Sequence, residues 1–141
     1  MKYWVGVVSL AHTKIAVENC ICQFNHGKRA PLDRMSSHDR FVIYSPKEEI
    51  RGGDPVQAFT AIGEVLPSDV YQVEYREFRP FRRHAHYFAS SHALIRPMLG
   101  NLVFTKGKEA SWGQVLRRSF FEISKRDFGL IATAMKARFE D

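Results

Sequence analysis

The sequence has few cysteines and no long apolar run, and both shortages exclude classes of protein. Cys20 and Cys22 are the only cysteines, and one residue separates them. No second pair completes a disulfide framework or a four-ligand zinc site. No apolar run approaches the roughly 18 residues of a membrane span, and the run near the start is too short for the core of a signal peptide. We therefore expect a cytoplasmic protein with no membrane anchor.

Recognisable catalytic patterns are scarce as well. Gly27-Lys28 lacks the upstream glycine and the following Ser or Thr of a phosphate-binding loop, which excludes a nucleotide hydrolase of that type. Cys20 adjoins an apolar run, where a cysteine is more often a small core residue than a nucleophile. His84 and His86 would share one face of a strand, but no third ligand accompanies them at a metal-like spacing. We therefore expect no catalytic residue, no metal site and no cofactor.

What the chain has in excess is positive charge. Among its 141 residues, Lys and Arg number 21 and Asp and Glu number 15, which gives a net charge of +6. The length matches one domain, spanning residues 1–141, and we expect it to be a monomer. A positive excess favours polyanions such as nucleic acid. The alternative is a basic surface without a partner, because net charge alone specifies neither fold nor ligand.

Apolar and alternating runs predict five or six short strands, over residues 3–8, 20–24, 41–44, 57–65, 70–75 and 78–87. Residues 70–75 alternate most cleanly, as a strand with one solvent-exposed face does. Short helical segments are predicted over residues 12–19, 32–35 and 93–99. A terminal helix follows Ser124, with Asp127 three residues later as a variant capping box. Because strands and helices do not alternate regularly, the pattern predicts an α+β fold built on a small, partly closed barrel.

Aromatic side chains make up 13% of the sequence, and several stand beside basic residues. Aromatic rings stack on nucleobases, worth about 1–3 kcal/mol per base, while Lys and Arg neutralise phosphates. Most of the phenylalanines are expected in the core. Trp4, Tyr44 and Trp112 each adjoin a loop or a strand end, so ligand contact and core packing are both open for them.

An ordered set of motifs runs from about residue 2 to about residue 135. It includes the segments 2–9, 26–35, 44–47, 57–63, 70–73, 81–83, 95–97 and 112–113. Its most distinctive pieces are Tyr3-Trp4-Val5, His26-Gly27-Lys28 and Phe81-Arg82-Arg83. In this order the motifs resemble the EVE domain family, which belongs to the PUA-like superfamily together with the YTH and ASCH domains.

The resemblance implies a mixed PUA-like β-barrel flanked by short helices and a C-terminal helix. It also implies an aromatic pocket that holds a flipped-out, modified nucleobase of RNA or DNA without catalysis. Carried over by position, Trp4 and Ser9 would form one wall, Tyr44 and Ser45 another, and Trp112 a stacking lid. The rim that meets the phosphates would be basic and would comprise His26, Lys28, Arg29, Arg34, Arg82 and Arg83.

Two positions depart from the family pattern. His38 stands where the family usually has a glycine, and a non-glycine fits that turn if the turn does not require positive φ. Ile43 stands where a second aromatic residue often precedes Tyr44. Because neighbouring residues of a strand point to opposite faces, the expected pocket wall can survive this second change.

Two other functions stay open at this point. An enzyme of the same superfamily that hydrolyses RNA or a modified nucleoside would need a base or nucleophile aimed into the pocket, and no acidic pair is evident there. A protein-interaction module would instead hold a peptide side chain in the aromatic cavity. Salt dependence separates that module from a nucleic-acid binder, since phosphate neutralisation makes log affinity fall with log salt.

Overall fold

The computed structural model describes residues 1–74 and 76–139, which form eight strands, four α-helices and three short 3-10 turns. The strands are β1 (Tyr3–Val7), β2 (Ile21–Cys22), β3 (Arg40–Lys47), β4 (Pro55–Val65), β5 (Tyr71–Gln72), β6 (Phe81–Tyr87), β7 (Ala93–Leu94) and β8 (Phe120–Ile123). The helices are α1 (Leu10–Glu18), α2 (Ala30–Arg34), α3 (Trp112–Leu116) and α4 (Lys125–Ala134). The 3-10 turns are Asn25–Gly27, Arg96–Met98 and Glu109–Ser111.

The strands form one curled, mixed sheet, a half-barrel, in the order β2-β6-β4-β3-β1-β8. β1 and β3 run parallel, and the other neighbours along this path are antiparallel. The short strands β5 and β7 lie off the path and pair with β6 and β4. The six strands of the path, the short helices and the C-terminal helix α4 confirm the predicted α+β architecture.

Strand alternation divides the core into two clusters on opposite faces of the sheet. Along β1 and β3, Trp4 and Ile43 belong to the cluster inside the curl, with Phe24 and Phe120. Tyr44 belongs to the other cluster, which α4 covers with Phe128, Ile131 and Met135. Aromatic residues that stand close together in the predicted pocket are therefore separated by the thickness of the sheet.

Three local predictions are corrected. The predicted strand over residues 70–75 shrinks to the two residues of β5, and Tyr75 lies outside the described residues. The strand predicted from residue 78 begins only at Phe81, directly after Pro80, which has no N–H for a ladder hydrogen bond. Residues 93–99 form β7 and a 3-10 turn in place of a helix, because β7 pairs with β4.

The turn before β3 also differs from expectation. His38 has φ +74°, the left-handed conformation that favours glycine. The turn therefore does require positive φ, and a histidine occupies it under strain. Within the described residues, no helix combines the length and the apolar character needed to cross a membrane.

Candidate functional site

A cavity of about 600 Å³ opens beside α1, at the end of β1. Its lining comes from both ends of the strand order, since β2 and β6 contribute one side and Ser119, next to β8, another. The polar lining residues are Ser9, His12, Gln23, Asn25, His26, Arg82 and Ser119. The others are Val7, Val8, Ile15, Ala16, Ile21, Phe24, Gly27, Ile50 and Phe78.

An aromatic ring forms the floor of the cavity. Phe24 is 1% exposed, and its ring packs on those of Phe120 and Phe41, with centroids 5.0 and 5.7 Å away. The ring reaches this position because Gly6 has no side chain. A Cβ built on Gly6 would lie 2.3 Å from Phe24 Cε1.

The mouth of the cavity is apolar. Ile15, Ile50 and Phe78 line it, and their exposed fractions are 48%, 49% and 43%. Each comes from a different segment, namely α1, the β3–β4 hairpin and the segment before β6. Large apolar side chains clustered at an opening mark a binding surface more often than a bare solvent face.

Among the described lining residues, the side chain with a fixed charge is the cation Arg82. Arg82 Nε donates to Gln23 Oε1 over 2.8 Å, which fixes the guanidinium at the cavity wall. His12 and His26 also line it, and among the described lining residues none is Asp or Glu. Such a wall favours an anionic or hydrogen-bonding ligand over a cationic one.

The loop over the cavity has an unusual backbone. Asn25, His26 and Gly27 have φ of +49°, +57° and +83°, three left-handed residues in succession. Gly27 also packs against Pro80, where a Cβ would come within 2.5 Å of the proline Cβ. Strained backbone of this kind concentrates at ligand-binding segments.

The structure places Trp4, the first residue of the predicted wall, in the core. Its ring is 2% exposed, stacks on Phe120 at 5.0 Å and lies beneath the Arg34 guanidinium at 5.1 Å. The indole Nε1 donates to Asp39 Oδ2 over 3.0 Å. Trp4 is thus a core residue below the cavity and is absent from its lining, whereas Ser9 does line it and caps α1 by accepting from His12 N.

Both residues of the second predicted wall, Tyr44 and Ser45, are buried. Ser45 is fully buried in a chain of hydroxyls, 2.7 Å from Thr60 Oγ1 and 3.4 Å from Thr13 Oγ1, which ties α1 to the sheet. Tyr44 is 2% exposed on the opposite face of β3. Burial raises the pKa of its phenol to about 12, partly offset by the charge of Arg96.

The predicted lid, Trp112, lies with Tyr44 and therefore away from the cavity. The two rings meet edge to face at 6.3 Å, and the Arg96 guanidinium lies 5.3 Å from the indole centroid. Of the five predicted ligand contacts, the structure brings only Ser9 to the cavity.

The six predicted phosphate contacts divide into two kinds. His26, Lys28, Arg29 and Arg34 are exposed, and Arg82 is partly exposed at the cavity wall. Arg83 is 7% exposed, and its Nη1 donates to the carbonyls of Leu32 and Met35 over 3.1 and 2.6 Å. Arg83 therefore anchors α2 from inside and cannot reach a phosphate.

Sequence reasoning missed Phe24, Phe78, Gln23 and Ile50 as cavity residues. The glycine inside the β1 apolar run was a usable signal, since a strand glycine often marks a close approach. Nothing in the sequence indicated which ring would make that approach.

Comparison with known proteins places these observations in a family. The family model of the EVE domain matches residues 2–134. A UPF0310 protein of Mesorhizobium japonicum is 44% identical over 138 residues, covering 96% of this chain and 92% of that one. A UPF0310 protein of Renibacterium salmoninarum is 40% identical over 134 residues, covering 95% of each.

The fold has a solved counterpart at low sequence identity. An NMR structure of a protein from Rhodopseudomonas palustris aligns with a TM-score of 0.57 at 14% identity, covering 96% of this chain and 94% of that one. This likeness concerns the fold alone. The match along almost the whole sequence shows that the chain belongs to the EVE domain family.

Proposed function

We propose that this protein binds nucleic acid and holds one extruded nucleobase in the cavity beside α1. The observation that carries the proposal is the combination of an apolar mouth, an aromatic floor and a cationic wall in one hollow of about 600 Å³. Extruding a base costs a few kcal/mol, and burial in such a hollow offsets this cost. A planar base would lie against Phe78 and the aliphatic groups of Ile15 and Ile50.

Polar groups inside the cavity supply the means to read the edge of a base. Ser9 offers a hydroxyl that both donates and accepts, and Gln23 and Asn25 offer amides. We further infer that the bound base is modified, as the resemblance to the EVE domain family implies. A methyl-sized substituent changes affinity by about 1–3 kcal/mol, so we expect discrimination between bases to be modest.

The rim supplies the contacts to the sugar-phosphate backbone. Lys28 and Arg29 are exposed and directly follow the turn that contains His26, and the exposed Arg34 ends α2. Their charge belongs to an overall net charge of +6. We expect these residues to set most of the salt dependence, because each phosphate neutralised steepens the fall of affinity with salt.

Fluorescence anisotropy with labelled RNA and DNA oligonucleotides tests the proposal. We expect Phe78→Ala and Arg82→Gln each to weaken binding by about 1–3 kcal/mol, the range of one stacked base or one charged contact. Val103→Ala and Lys106→Gln change an exposed apolar and an exposed basic residue elsewhere and serve as matched controls. If all four variants bind alike, the cavity is not the site.

We also infer that binding occurs without turnover. A hydrolase would need a general base at the ligand; the described lining residues include no Asp or Glu, so His12 and His26 are its candidate bases. Incubation with nucleosides and short RNA, followed by mass spectrometry, tests this point. A saturable product that disappears in His12→Asn or His26→Asn would replace the binding function by an enzymatic one.

A further inference from the structure

A second hollow, the α4 groove, lies between β1 and α4 and has a volume of about 320 Å³. Three aromatic side chains line it: Tyr3, Phe128 and Phe139. Tyr3 and Phe128 pack with their centroids 4.8 Å apart, and Phe139 is 38% exposed. Tyr3 opens β1, whereas the cavity lies at the other end of that strand, so the groove is a separate surface.

The α4 groove is flanked by cations. Lys125 and Lys136 line it at the two ends of α4, and both are exposed. Neither makes an ion pair within residues 1–74 and 76–139. Arg40 lies 4.5 Å from the centroid of Phe139 while its Nε contacts Glu64 at 3.3 Å. The described lining residues include no carboxylate.

A glycine keeps the α4 groove open. Gly129 lies inside α4, where glycine is the least favourable residue after proline. A Cβ built on it meets nothing within 4 Å, so no packed neighbour requires the missing side chain. The space that a side chain would occupy belongs to the groove. A larger side chain at this position would therefore narrow the groove.

Like Gly129, Lys136 occupies a position where a different residue would make the helix more stable. It follows the end of α4 with φ +54°, and its N–H donates to Thr133 O over 3.0 Å, the helix stop that glycine usually occupies. Gly129 thus stands inside a helix, where a helix former would be more stable. Lys136 stands at the helix stop, where a glycine would be more stable. Both departures lie in the groove.

We propose that the α4 groove is a second nucleic-acid-binding surface that takes a single-stranded segment by base stacking and phosphate contact. Lys125 begins α4 and Lys136 lies two residues beyond its end, so the two cations flank the groove at opposite ends of the helix. Bases lie against Tyr3 and Phe139, and phosphates meet the two lysines. This surface goes beyond the cavity and does not require a modified base.

Aromatic rings beside cations favour a nucleic-acid strand over an acidic peptide. Every base has a flat face for an aromatic ring, so stacking tolerates any sequence, whereas acidic peptide side chains offer only charge. The overall charge of +6 adds to the attraction for a polyanion. An acidic peptide remains the alternative occupant that the experiment must distinguish.

The test measures anisotropy of a labelled, unmodified single-stranded oligonucleotide with four variants of the full chain. Gly129→Leu fills the α4 groove, and Gly113→Leu is its matched control, since a Cβ on that helical glycine also meets nothing within 4 Å. Lys125→Gln/Lys136→Gln removes the two cations. Lys106→Gln/Lys108→Gln removes the same charge from exposed positions elsewhere.

We expect Gly129→Leu to weaken binding about ten-fold, the size of one lost stacked base, and Gly113→Leu to leave it unchanged. The Lys125/Lys136 variant should lower the slope of log affinity against log salt by about 1.4, which two lost phosphate contacts give for a single strand. Equal effects of each variant and its control would overturn the proposal. So would a glutamate-rich peptide that binds with the same Gly129 sensitivity while the oligonucleotide does not.

Arg82→Gln keeps the two sites distinguishable. It changes the cavity wall alone. If the cavity does not bind nucleic acid, Arg82→Gln leaves affinity unchanged while Gly129→Leu still weakens binding. If Arg82→Gln weakens binding but Gly129→Leu does not, the groove proposal is wrong and the cavity proposal stands.

Discussion

The ring of Phe24 lies directly on the backbone of Gly6, so close that a Cβ at Gly6 would fall 2.3 Å from Phe24 Cε1. This contact joins β1 to the segment after β2 across the open side of the half-barrel. The floor of the cavity exists because a glycine interrupts an otherwise apolar strand.

Replacing Gly6 by alanine should therefore displace Phe24 into the cavity. We expect the free energy of unfolding to fall by about 1–3 kcal/mol, as overpacking of a core does, together with weaker oligonucleotide binding. Urea titration and anisotropy measure the two effects. Gly113→Ala is the control, because its Cβ meets open space and removes a helical glycine. A Gly6→Ala variant as stable as Gly113→Ala would disprove the contact.

Arg82 and Arg83 are adjacent in sequence but should respond in opposite ways to mutation. Arg83→Gln leaves the carbonyls of Leu32 and Met35 without a donor, so we expect a loss of about 1–3 kcal/mol of stability. Arg82→Gln should weaken nucleic-acid binding and lower the salt slope while stability stays within about 0.5 kcal/mol. Urea titration and salt-dependent anisotropy on both variants check this. An Arg83→Gln variant that keeps full stability but loses affinity would show that Arg83 contacts phosphate.

Asp39 should make stability depend on acidic pH. Burial alone would raise its pKa, but hydrogen bonds from the Lys2 and Ser36 amides and the Trp4 indole outweigh burial and lower the pKa below its ordinary value of 3.8. A lowered pKa contributes stability that is complete above the ordinary value and is lost as pH falls through the lowered one. We expect wild-type unfolding free energy to drop from about pH 5 downward more steeply than that of Asp39→Asn. Urea titrations across this range compare the two, and parallel curves would contradict the assignment.

The two cysteines should differ sharply in reactivity. Burial raises the pKa of the Cys22 thiol to about 12, with Arg83 partly opposing this, while Cys20 is exposed. Because the thiolate is the reactive form, one equivalent of thiol reagent should react rapidly with the folded protein at mildly alkaline pH. Cys20→Ser should abolish that phase, and denaturant should release the second thiol. Two rapid equivalents would show that Cys22 is accessible.

The fold was predictable where the sequence pattern is periodic. The apolar run of β1 and the capped, apolar stripe of α4 predicted these two elements correctly. A buried face repeats apolar residues along the sequence at the period of its strand or helix. The residues 70–75 show the limit. Their alternation is clean, but among the described residues of this range the pairing with β6 covers Tyr71 and Gln72 alone, and pairing depends on the neighbouring strand.

The candidate site was predictable only in part, for two physical reasons. Trp4 and Tyr44 lie on opposite faces because β1 and β3 pair in parallel with Trp4 beside Phe41, a register that the sequence does not specify. Arg82 and Arg83 differ in exposure because they alternate across β6, so strand period alone could have separated them. The resemblance alone places Ser45 in the pocket, whereas its burial against Thr60 follows from the β3–β4 pairing, which the sequence does not specify.

The most direct test of the cavity as a base-binding site is isoleucine methyl NMR during titration with an oligonucleotide that carries a modified base. Ile15, Ile21 and Ile50 line the cavity, whereas Ile62 and Ile95 are fully buried in the core on the opposite face. Binding of the base in the cavity should shift the methyl signals of Ile15, Ile21 and Ile50 and leave those of Ile62 and Ile95 unchanged. Saturable binding that leaves the cavity methyls unchanged, or that moves Ile95 beside the Tyr44–Trp112 cluster, would contradict it.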